Sequence, residues 1–420
     1  MGNTDHEFSR EYVYFDSSEQ AVEYLNSLNG LSPAIGSKLT PLLPISSDIV
    51  SLIGFESSLP SLFMQFSKSR NVPLPFSRAT LFKFPKFASG AVKFSLQTLM
   101  KMVNFMWKLT NQKFTLRVPV HATGGAAESW DGLIQSIKQW DEPNVELTLL
   151  LKFIEERINL EHGLLMQLKA HSGVQSKQIE LYLNSLRKHT LLPDSVIDLL
   201  PSFLIKQQID LTHTQYSMLR CSLKLDFYFS SIACLELGWL QKFSKELPEM
   251  QKHRSDWFVN GVVHHFIKPL IFENNSIKLK TPFEFYLDWL ASDIGTSVDS
   301  KKLSQAKLAS FIPLEQNEDT ASGYSKAEKQ KDLLKDWKKS KYPSPSKFYE
   351  FIKNLRGGLT DDALYLIDIG FASIILDRLF ISLFNQLKSK NSQETYQAMN
   401  ICICRYHEYF QYYKNQVITE

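Results

Sequence analysis

From Glu128 onward, apolar residues recur at the three- and four-residue spacing of an α-helix, and little of the sequence alternates as a strand does. Turns interrupt this pattern, as at Pro143-Asn144 and Pro193-Asp194. The periodic segments predict helices at 128–140, 145–171, 175–189, 194–208, 212–246, 252–268, 282–293, 325–341, 345–356, 360–389 and 392–416. A chain with this pattern is expected to be mainly α-helical.

The 420 residues exceed what one hydrophobic core accommodates, so we expect several domains. Composition divides the chain into a basic, Phe-rich region at 1–127, a helical domain at 128–312 and a C-terminal helical domain at 326–420. The polar, Gly-containing stretch 313–325 predicts a linker between the last two. We therefore predict a multi-domain helical protein.

The N-terminal region contains one segment with strand character. Apolar and polar residues alternate from Lys113 to His121, and Pro119 places this segment at a sheet edge or a strand end. We expect a small β element near 113–121. Just before it, 91–111 predicts an amphipathic helix, because its polar residues step by three or four positions.

Charge is distributed unevenly along the chain. Between Glu56 and Glu128 there is no Asp or Glu in 71 residues, but there are ten Lys or Arg interleaved with aromatic residues. Residues 326–356 carry ten basic and four acidic side chains, so their net charge is +6. Because the whole chain carries +3, the remainder carries 3 − 16 = −13. Such asymmetry indicates polyanion binding or pairing between oppositely charged surfaces.

The first basic region combines cations with rings in the way that nucleic-acid binding requires. The loop 81–87 places Lys beside Phe, and the helix 91–111 carries Lys in register on its polar face. The candidate binding residues here are Lys83, Lys86, Lys93, Lys101, Lys108 and Arg117. The alternative partner is an acidic protein surface, either on another protein or on the −13 remainder of this chain.

The second basic region has a more specific pattern. A helix is expected to end near Ser340, Ser344 can cap the next helix, and Pro345 suits its first position. This junction resembles the end of a helix-turn-helix of the Cro and phage-repressor class, in which Trp337, Lys341, Pro343 and Ser344 stand in the matching places. Two positions depart from that pattern: Ser340 replaces its Gly, and the gap to Pro343 is one residue shorter. The resemblance implies contacts to phosphates or base edges in the major groove by Lys335, Lys338, Lys339 and Lys341.

A second resemblance points to a different class of function. Arg157 and His162 have the R-x4-H spacing of HEPN-type ribonucleases, on a segment that predicts a helix. In such a pair the Arg neutralises phosphate charge and the His transfers a proton. The main hypothesis is a nucleic-acid-binding protein without catalytic activity. The first alternative is a helical scaffold or interaction subunit of a larger assembly, and the second is a HEPN-like ribonuclease.

Other signatures of catalysis are absent from the sequence. It contains no P-loop, dinucleotide-binding GxGxxG, GxSxG elbow or HExxH pattern. On a helix Cys402 and Cys404 point about 200° apart, so they do not chelate one ion. We expect no enzymatic activity, no cofactor and no bound metal.

Targeting features also set expectations. The apolar window 363–384 is interrupted by Asp368, Asp377 and Arg378, so it predicts a buried helix and not a membrane span. The N-terminus has no apolar core of the signal-peptide kind, and four cysteines are too few for a disulfide scaffold. We expect a cytoplasmic protein with no membrane partner.

Overall fold

A computed structural model describes residues 12–15, 43–44, 64, 67, 71–81, 98, 101, 104–105, 108, 116–119, 130–131, 134, 145–170, 176–201, 212–247, 255–269, 271–273, 276–278, 280–299, 302–314, 325–387 and 392–419. This part of the chain is mainly α-helical, as the periodicity predicts. The helices are α1 (Arg78–Leu81), α2 (Thr148–Ala170), α3 (Ser176–His189), α4 (Asp194–Ile197), α5 (His213–Glu246), α6 (Ser255–Asn260), α7 (Pro282–Asp299), α8 (Gln305–Ala309), α9 (Lys326–Trp337), α10 (Pro345–Arg356), α11 (Asp361–Leu387), α12 (Ser392–Ile403) and α13 (Tyr406–Thr419).

Short antiparallel strand pairs accompany the helices. They are β1 (Tyr12–Phe15) with β2 (Leu116–Pro119) and β3 (Ile271–Glu273) with β4 (Ser276–Lys278). Pairs of three or four residues form no layer that could define a fold class. The protein is therefore classified as mainly α-helical. The small β element expected near 113–121 stays a prediction.

The chain divides into two compact units. Unit 1 contains 1–51, 55–144 and 151–209, and unit 2 contains 52–54, 145–150 and 210–420. The predicted domains, at 1–127, 128–312 and 326–420, have other boundaries than these units and stay a prediction. In unit 2 the side chain of Gln330 on α9 donates to the carbonyls of Ser310 and Ile312, at 3.1 and 2.7 Å. The helices on either side of the predicted linker therefore pack together, while 315–324 lies outside the described residues.

Unit 1 contains helices α3 and α4 and most of α2. Its interior includes a carboxylate with a backbone partner: Glu161 accepts the N–H of Leu43 at 2.9 Å. The indole of Trp130 donates to the carbonyl of Pro44 at 2.7 Å. These bonds join residues more than eighty positions apart and fix the segment at 43–44 to the helical core.

Unit 2 is organised around the long helix α5. A capping box at Thr212 and Gln215 starts this helix, and α12 and α13 pack along it. Gly238 allows the backbone of Glu146 to approach α5 closely, because a Cβ at Gly238 would lie 2.1 Å from the Glu146 carbonyl oxygen. Only glycine fits at this crossing.

Helix α10 shows how local sequence specifies a buried element. Ser344 is its N-cap, Pro345 occupies the first turn, and Gly357 ends it with φ of +74°. The apolar residues follow the helical period and are buried; they are Phe348, Phe351, Ile352 and Leu355. Each such side chain contributes about 2 kcal/mol when it leaves water. The predicted segment 345–356 is confirmed at both ends.

Three predicted helices are interrupted. The segment 194–208 contains α4, which ends at Ile197. The segment 252–268 contains α6 and a 3-10 turn at Val263–His265, because the N–H groups of Val262 and Val263 both donate to the carboxylate of Glu236 and leave the helical ladder. The segment 392–416 breaks between α12 and α13.

Buried acids are a recurring feature of unit 2. Glu236 is fully buried and also accepts the hydroxyl of Tyr406 at 2.8 Å; burial nevertheless raises its pKa to about 7. Asp368 accepts the indole N–H of Trp239 at 2.9 Å, and burial raises its pKa to about 6. Asp368 lies within α11 and Glu236 within α5, and both helices remain continuous and packed in the core.

Asp377 on α11 is fully buried, and neither of its oxygens has a hydrogen-bond partner within the described part of the chain. Burial raises its pKa to about 6, and the hydroxyls of Thr281 and Tyr342 offset part of that effect. The segment 363–384 is thus a buried helix, as predicted. Among the described residues, no helix is both long enough and apolar enough to cross a bilayer.

Candidate anion-binding site

The second basic region folds as α9, a tight turn and α10. Helix α9 begins at a capping box in which the Glu328 carboxylate accepts the backbone N–H of Ser325 at 2.9 Å and the Ser325 hydroxyl accepts that of Glu328 at 3.4 Å. Ser340, in the turn, has φ of +62°, a left-handed conformation that favours glycine. Ser340 therefore adopts the backbone shape that the helix-turn-helix pattern assigns to Gly. The resemblance itself stays a prediction.

A cleft of about 870 Å³ lies beside α9, entirely within unit 2. We call it the α9 cleft; its charged lining consists of Lys331, Lys335, Lys338, Lys339 and Glu284. Four lysines and one glutamate give this lining a formal charge of +3. Two of the four are one helical turn apart on α9, and two follow where the helix ends, so all four cations face one region. Such a surface attracts anions.

The predicted lysines of this region divide into two groups. Lys338 donates to Asp288 at 2.6 Å, and Lys341 donates to Asp336 at 3.0 Å, so carboxylates of the chain compensate these two cations. Lys335 and Lys339 are exposed and have no ion pair among the described residues. The structure brings Lys335, Lys338 and Lys339 to the cleft, whereas Lys341 does not line it.

Asp288 accepts two ammonium groups. Lys280 and Lys338 each lie 2.6 Å from one of its oxygens. These hydrogen bonds lower the pKa of the Asp288 carboxyl, although its partial burial acts in the opposite direction. Asp288 thereby fixes Lys338 at the wall of the cleft. Glu284, one turn earlier on α7, has its pKa raised by burial.

The rest of the cleft combines apolar and polar groups. Its apolar lining is formed by Leu334, Ile381 and Phe384, and its neutral polar lining by Thr281, Gln305 and Ser340. The ring of Phe384 stacks on Tyr396, with centroids 5.1 Å apart and planes inclined by 21°. An apolar floor beside a cationic rim suits a ligand with one anionic and one apolar part.

Sequence reasoning did not include Lys331 among the site residues. It is exposed, it lines the cleft, and it has no ion pair in the described structure. The signal was its position four residues before Lys335, which places both on one face of a helix. The cleft residues outside α9 come from distant parts of the chain, and no local pattern predicts them.

The first basic region is described only in part. Lys101, Asn104 and Lys108 are helical and exposed, while Phe105 is 2% exposed, which agrees with the predicted amphipathic helix. Lys83, Lys86 and Lys93 lie outside the described residues. The backbone of Arg117 lies in β2.

The environment of Arg157 argues against the HEPN-like alternative. Its side chain is 2% exposed, and its guanidinium lies 5.2 Å from the ring centre of Phe153. A catalytic Arg must reach the phosphate of a substrate, and this one is enclosed in the core of unit 1. His162 is on the same helix, but its side chain is outside the described part.

Three of the four cysteines, Cys221, Cys234 and Cys402, are core residues. Cys402 is 4% exposed, within 3.3 Å of the Ser222 hydroxyl, whereas Cys404 is exposed, so the two do point apart. Over the residues that the structure describes, no three His, Cys, Asp or Glu side chains converge as metal ligands do.

Comparisons with protein-family models, with curated proteins and with solved structures found no match for this chain. The physical properties of the α9 cleft and of the exposed lysines are therefore the basis for any functional assignment.

Proposed function

We propose that this protein binds nucleic acid, DNA or RNA, without catalysing a reaction on it. The observation that carries the proposal is the group formed by Lys331, Lys335 and Lys339, which are exposed and lack ion pairs in the described structure. Three exposed ammonium groups without ion pairs on one side of α9 form a positively charged surface that attracts anions. We name this group the α9 lysine row.

The spacing of the α9 lysine row suits a phosphodiester backbone. Lys331 and Lys335 are about 6 Å apart along the helix axis, at 1.5 Å per residue. Two phosphate steps of one strand cover about 7 Å. Consecutive lysines can thus meet phosphates of one strand, and each contact releases condensed counterions. The exposed Lys101 and Lys108 in unit 1 are seven residues apart, which is about two turns of a helix and also places them on one face.

The test compares two triple variants with equal charge change. Lys331→Glu/Lys335→Glu/Lys339→Glu reverses the row, and Lys268→Glu/Lys302→Glu/Lys326→Glu reverses three exposed lysines of unit 2 outside the cleft. We expect the first variant to lose retention on immobilised DNA or RNA and the control to keep most of it. In wild type, log K against log salt should have a slope of about −0.9 for each phosphate neutralised.

If the two triple variants lost retention on nucleic acid equally, net charge alone would explain the binding. The assignment of a binding site to the α9 lysine row would then be wrong. A Lys101→Glu/Lys108→Glu variant then measures separately what the first basic region contributes. If it weakens binding as much as reversal of the row, both basic regions take part.

A second candidate function is a helical interaction subunit that docks on an acidic protein surface. The observation in its favour is that Asp288 and Asp336 already compensate Lys338 and Lys341, so carboxylates are suitable partners for this region. It predicts no salt-dependent retention on nucleic acid, together with a stable protein complex that reversal of the row abolishes.

For either function we propose a reducing, cytoplasmic setting, since the four cysteines form no disulfide.

A further inference from the structure

We propose that the α9 cleft binds a single nucleotide, with its phosphate on the α9 lysine row and its base on the apolar floor. This inference rests on the proposed function and specifies which form of nucleic acid the protein selects. A cleft of about 870 Å³ lies in the size range of small-molecule sites, which is about 300–1,000 Å³. A phosphate alone leaves most of that volume unused, so the ligand has a second, larger part.

The cationic rim determines where the phosphate lies. Lys335 and Lys339 are exposed at the cleft and lack ion pairs among the described residues, whereas Lys338 is held by Asp288. An incoming phosphate therefore meets two or three uncompensated ammonium groups, each of which can donate up to three hydrogen bonds. Glu284 is the one acidic group of the lining and opposes this attraction.

The floor determines what accompanies the phosphate. Leu334, Ile381 and Phe384 present apolar surface, and the stack on Tyr396 fixes the plane of the Phe384 ring. A flat ring system gains contact with such a floor.

The neutral polar lining distinguishes a base from an alkyl chain. Gln305 carries an amide at the cleft, whereas the Thr281 hydroxyl already accepts the N–H of Glu284 at 3.4 Å and the Ser340 hydroxyl interacts with Tyr342. The Gln305 amide can bond the polar edge of a base, and an alkyl chain offers it no such partner. We therefore assign the floor to a nucleobase.

A base inside the cleft cannot be stacked and paired in a duplex at the same time. Insertion is least costly for a single strand or a strand end, where no base pair has to open. The cleft thus implies preference for single-stranded over double-stranded nucleic acid. The same chemistry also suits a free nucleotide, so the experiment has to separate the two sources.

The experiment measures binding to the full chain by calorimetry and by displacement of a labelled strand. The probes are thymidine 5′-monophosphate, deoxyribose 5-phosphate, inorganic phosphate, a single strand of about ten nucleotides, the same strand with abasic sugars, and the matching duplex. We expect the single strand to bind at least about tenfold more tightly than its abasic form, since each stacked base contributes about 1–3 kcal/mol. The monophosphate should bind more tightly than deoxyribose 5-phosphate.

Two variants separate the floor from the rim. Ile381→Trp fills the cleft from a largely buried position at its lining and leaves every lysine in place. We expect it to abolish the advantage of the base-containing probes. Glu284→Gln removes the opposing charge and should strengthen binding of every anionic probe about threefold. Because this variant gains affinity, misfolding cannot produce its expected result; Lys326→Glu, on α9 but outside the cleft, is the control.

The outcomes separate the two proposals. Strand binding that reversal of the α9 lysine row abolishes but that Ile381→Trp and removal of the bases leave unchanged would overturn the nucleotide inference and retain nucleic-acid binding. Monophosphate binding that Ile381→Trp abolishes, without binding of any strand, would retain the nucleotide site and overturn the proposed function. Binding of no probe would overturn both.

Discussion

Replacement of Asp377 by Asn should stabilise unit 2 at neutral pH. The Asp377 side chain is fully buried on α11, and its oxygens lack hydrogen-bond partners in the described structure. At pH above about 6 the folded protein must keep this carboxylate charged, and the Thr281 and Tyr342 hydroxyls, the Phe283 N–H and Arg378 offset only part of the cost of burial. An amide of the same shape carries no charge, and its N–H groups can donate to the nearby hydroxyls of Thr281 and Tyr342.

The expected magnitude follows from the difference in pKa. Burial raises the pKa of Asp377 from 3.8 to about 6, and each pH unit corresponds to about 1.4 kcal/mol. The charged carboxylate thus costs the fold about 3 kcal/mol above pH 6. Between the two pKa values the folded state retains a proton that the unfolded state has lost. The stabilisation by Asn should therefore be absent below about pH 4, grow as pH rises, and be complete above about pH 6.

The assay is hydrogen–deuterium exchange of peptides from α11, measured for both proteins from acidic to mildly alkaline pH. Exchange reports the opening free energy of one region, so it does not require that two units unfold in a single step. Glu236 and Asp368 also titrate in this range, but they are present in both proteins. The difference between wild type and variant isolates residue 377.

Glu236→Gln is the matched control. The Glu236 carboxylate accepts two backbone N–H groups and the Tyr406 hydroxyl, so an amide would direct its own N–H groups at donors. We expect this variant to lose about 1–3 kcal/mol below about pH 4.5. The loss should shrink as pH rises to about 7, because the raised pKa of Glu236 already destabilises the folded wild type there. If Asp377→Asn were neutral or destabilising at pH 8, Asp377 would have a strong partner, and the assignment of an uncompensated buried charge would be wrong.

Three further predictions concern other parts of the molecule. Gly238→Ala should destabilise unit 2 by several kcal/mol in a urea titration, because its Cβ would meet the Glu146 carbonyl; wild-type stability would show that this crossing is looser than described. Ser340→Gly should raise the free energy of unfolding by up to about 1 kcal/mol by relieving the left-handed backbone, and a loss would mean that the Ser340 side chain contributes more than its strain costs. Native protein should react with maleimide at Cys404 long before Cys221 or Cys402, as mass spectrometry of the peptides can show, and fast labelling at Cys402 would contradict its burial.

Periodicity predicted the helices well where one face of an element is buried. The segment 345–356 has a cap, a Pro and an apolar stripe that all specify the same helix, and the structure begins and ends it there. The prediction of 252–268 as one helix was wrong. Its end at Asn260 depends on Glu236, which lies 26 residues from Val262, and single-segment patterns do not contain that contact.

The sequence predicted only the lysines that α9 contributes to the candidate site. Lysines on α9 stand out in the sequence, and their common helix face follows from spacing. The acid that compensates Lys338 is Asp288, fifty positions earlier, and the floor residues Ile381 and Phe384 come from α11. Such contacts form only when the chain has packed. The sequence therefore could not show that Lys338 is paired with a carboxylate while Lys335 and Lys339 have no ion pair in the described structure.

The carboxylate of Glu236 also sets an order of events during synthesis. Its hydrogen-bond partner Tyr406 is 170 residues further along the chain. The carboxylate of Asp226, also on α5, accepts the hydroxyl of Tyr409, which is 183 residues further along. Helix α5 is therefore made long before the side chains that satisfy its buried acids. A nascent chain that has not yet reached α13 exposes an incompletely covered α5, a surface that chaperones recognise and that aggregates if translation stalls. Completion of unit 2 has to wait until Tyr406 has left the ribosome.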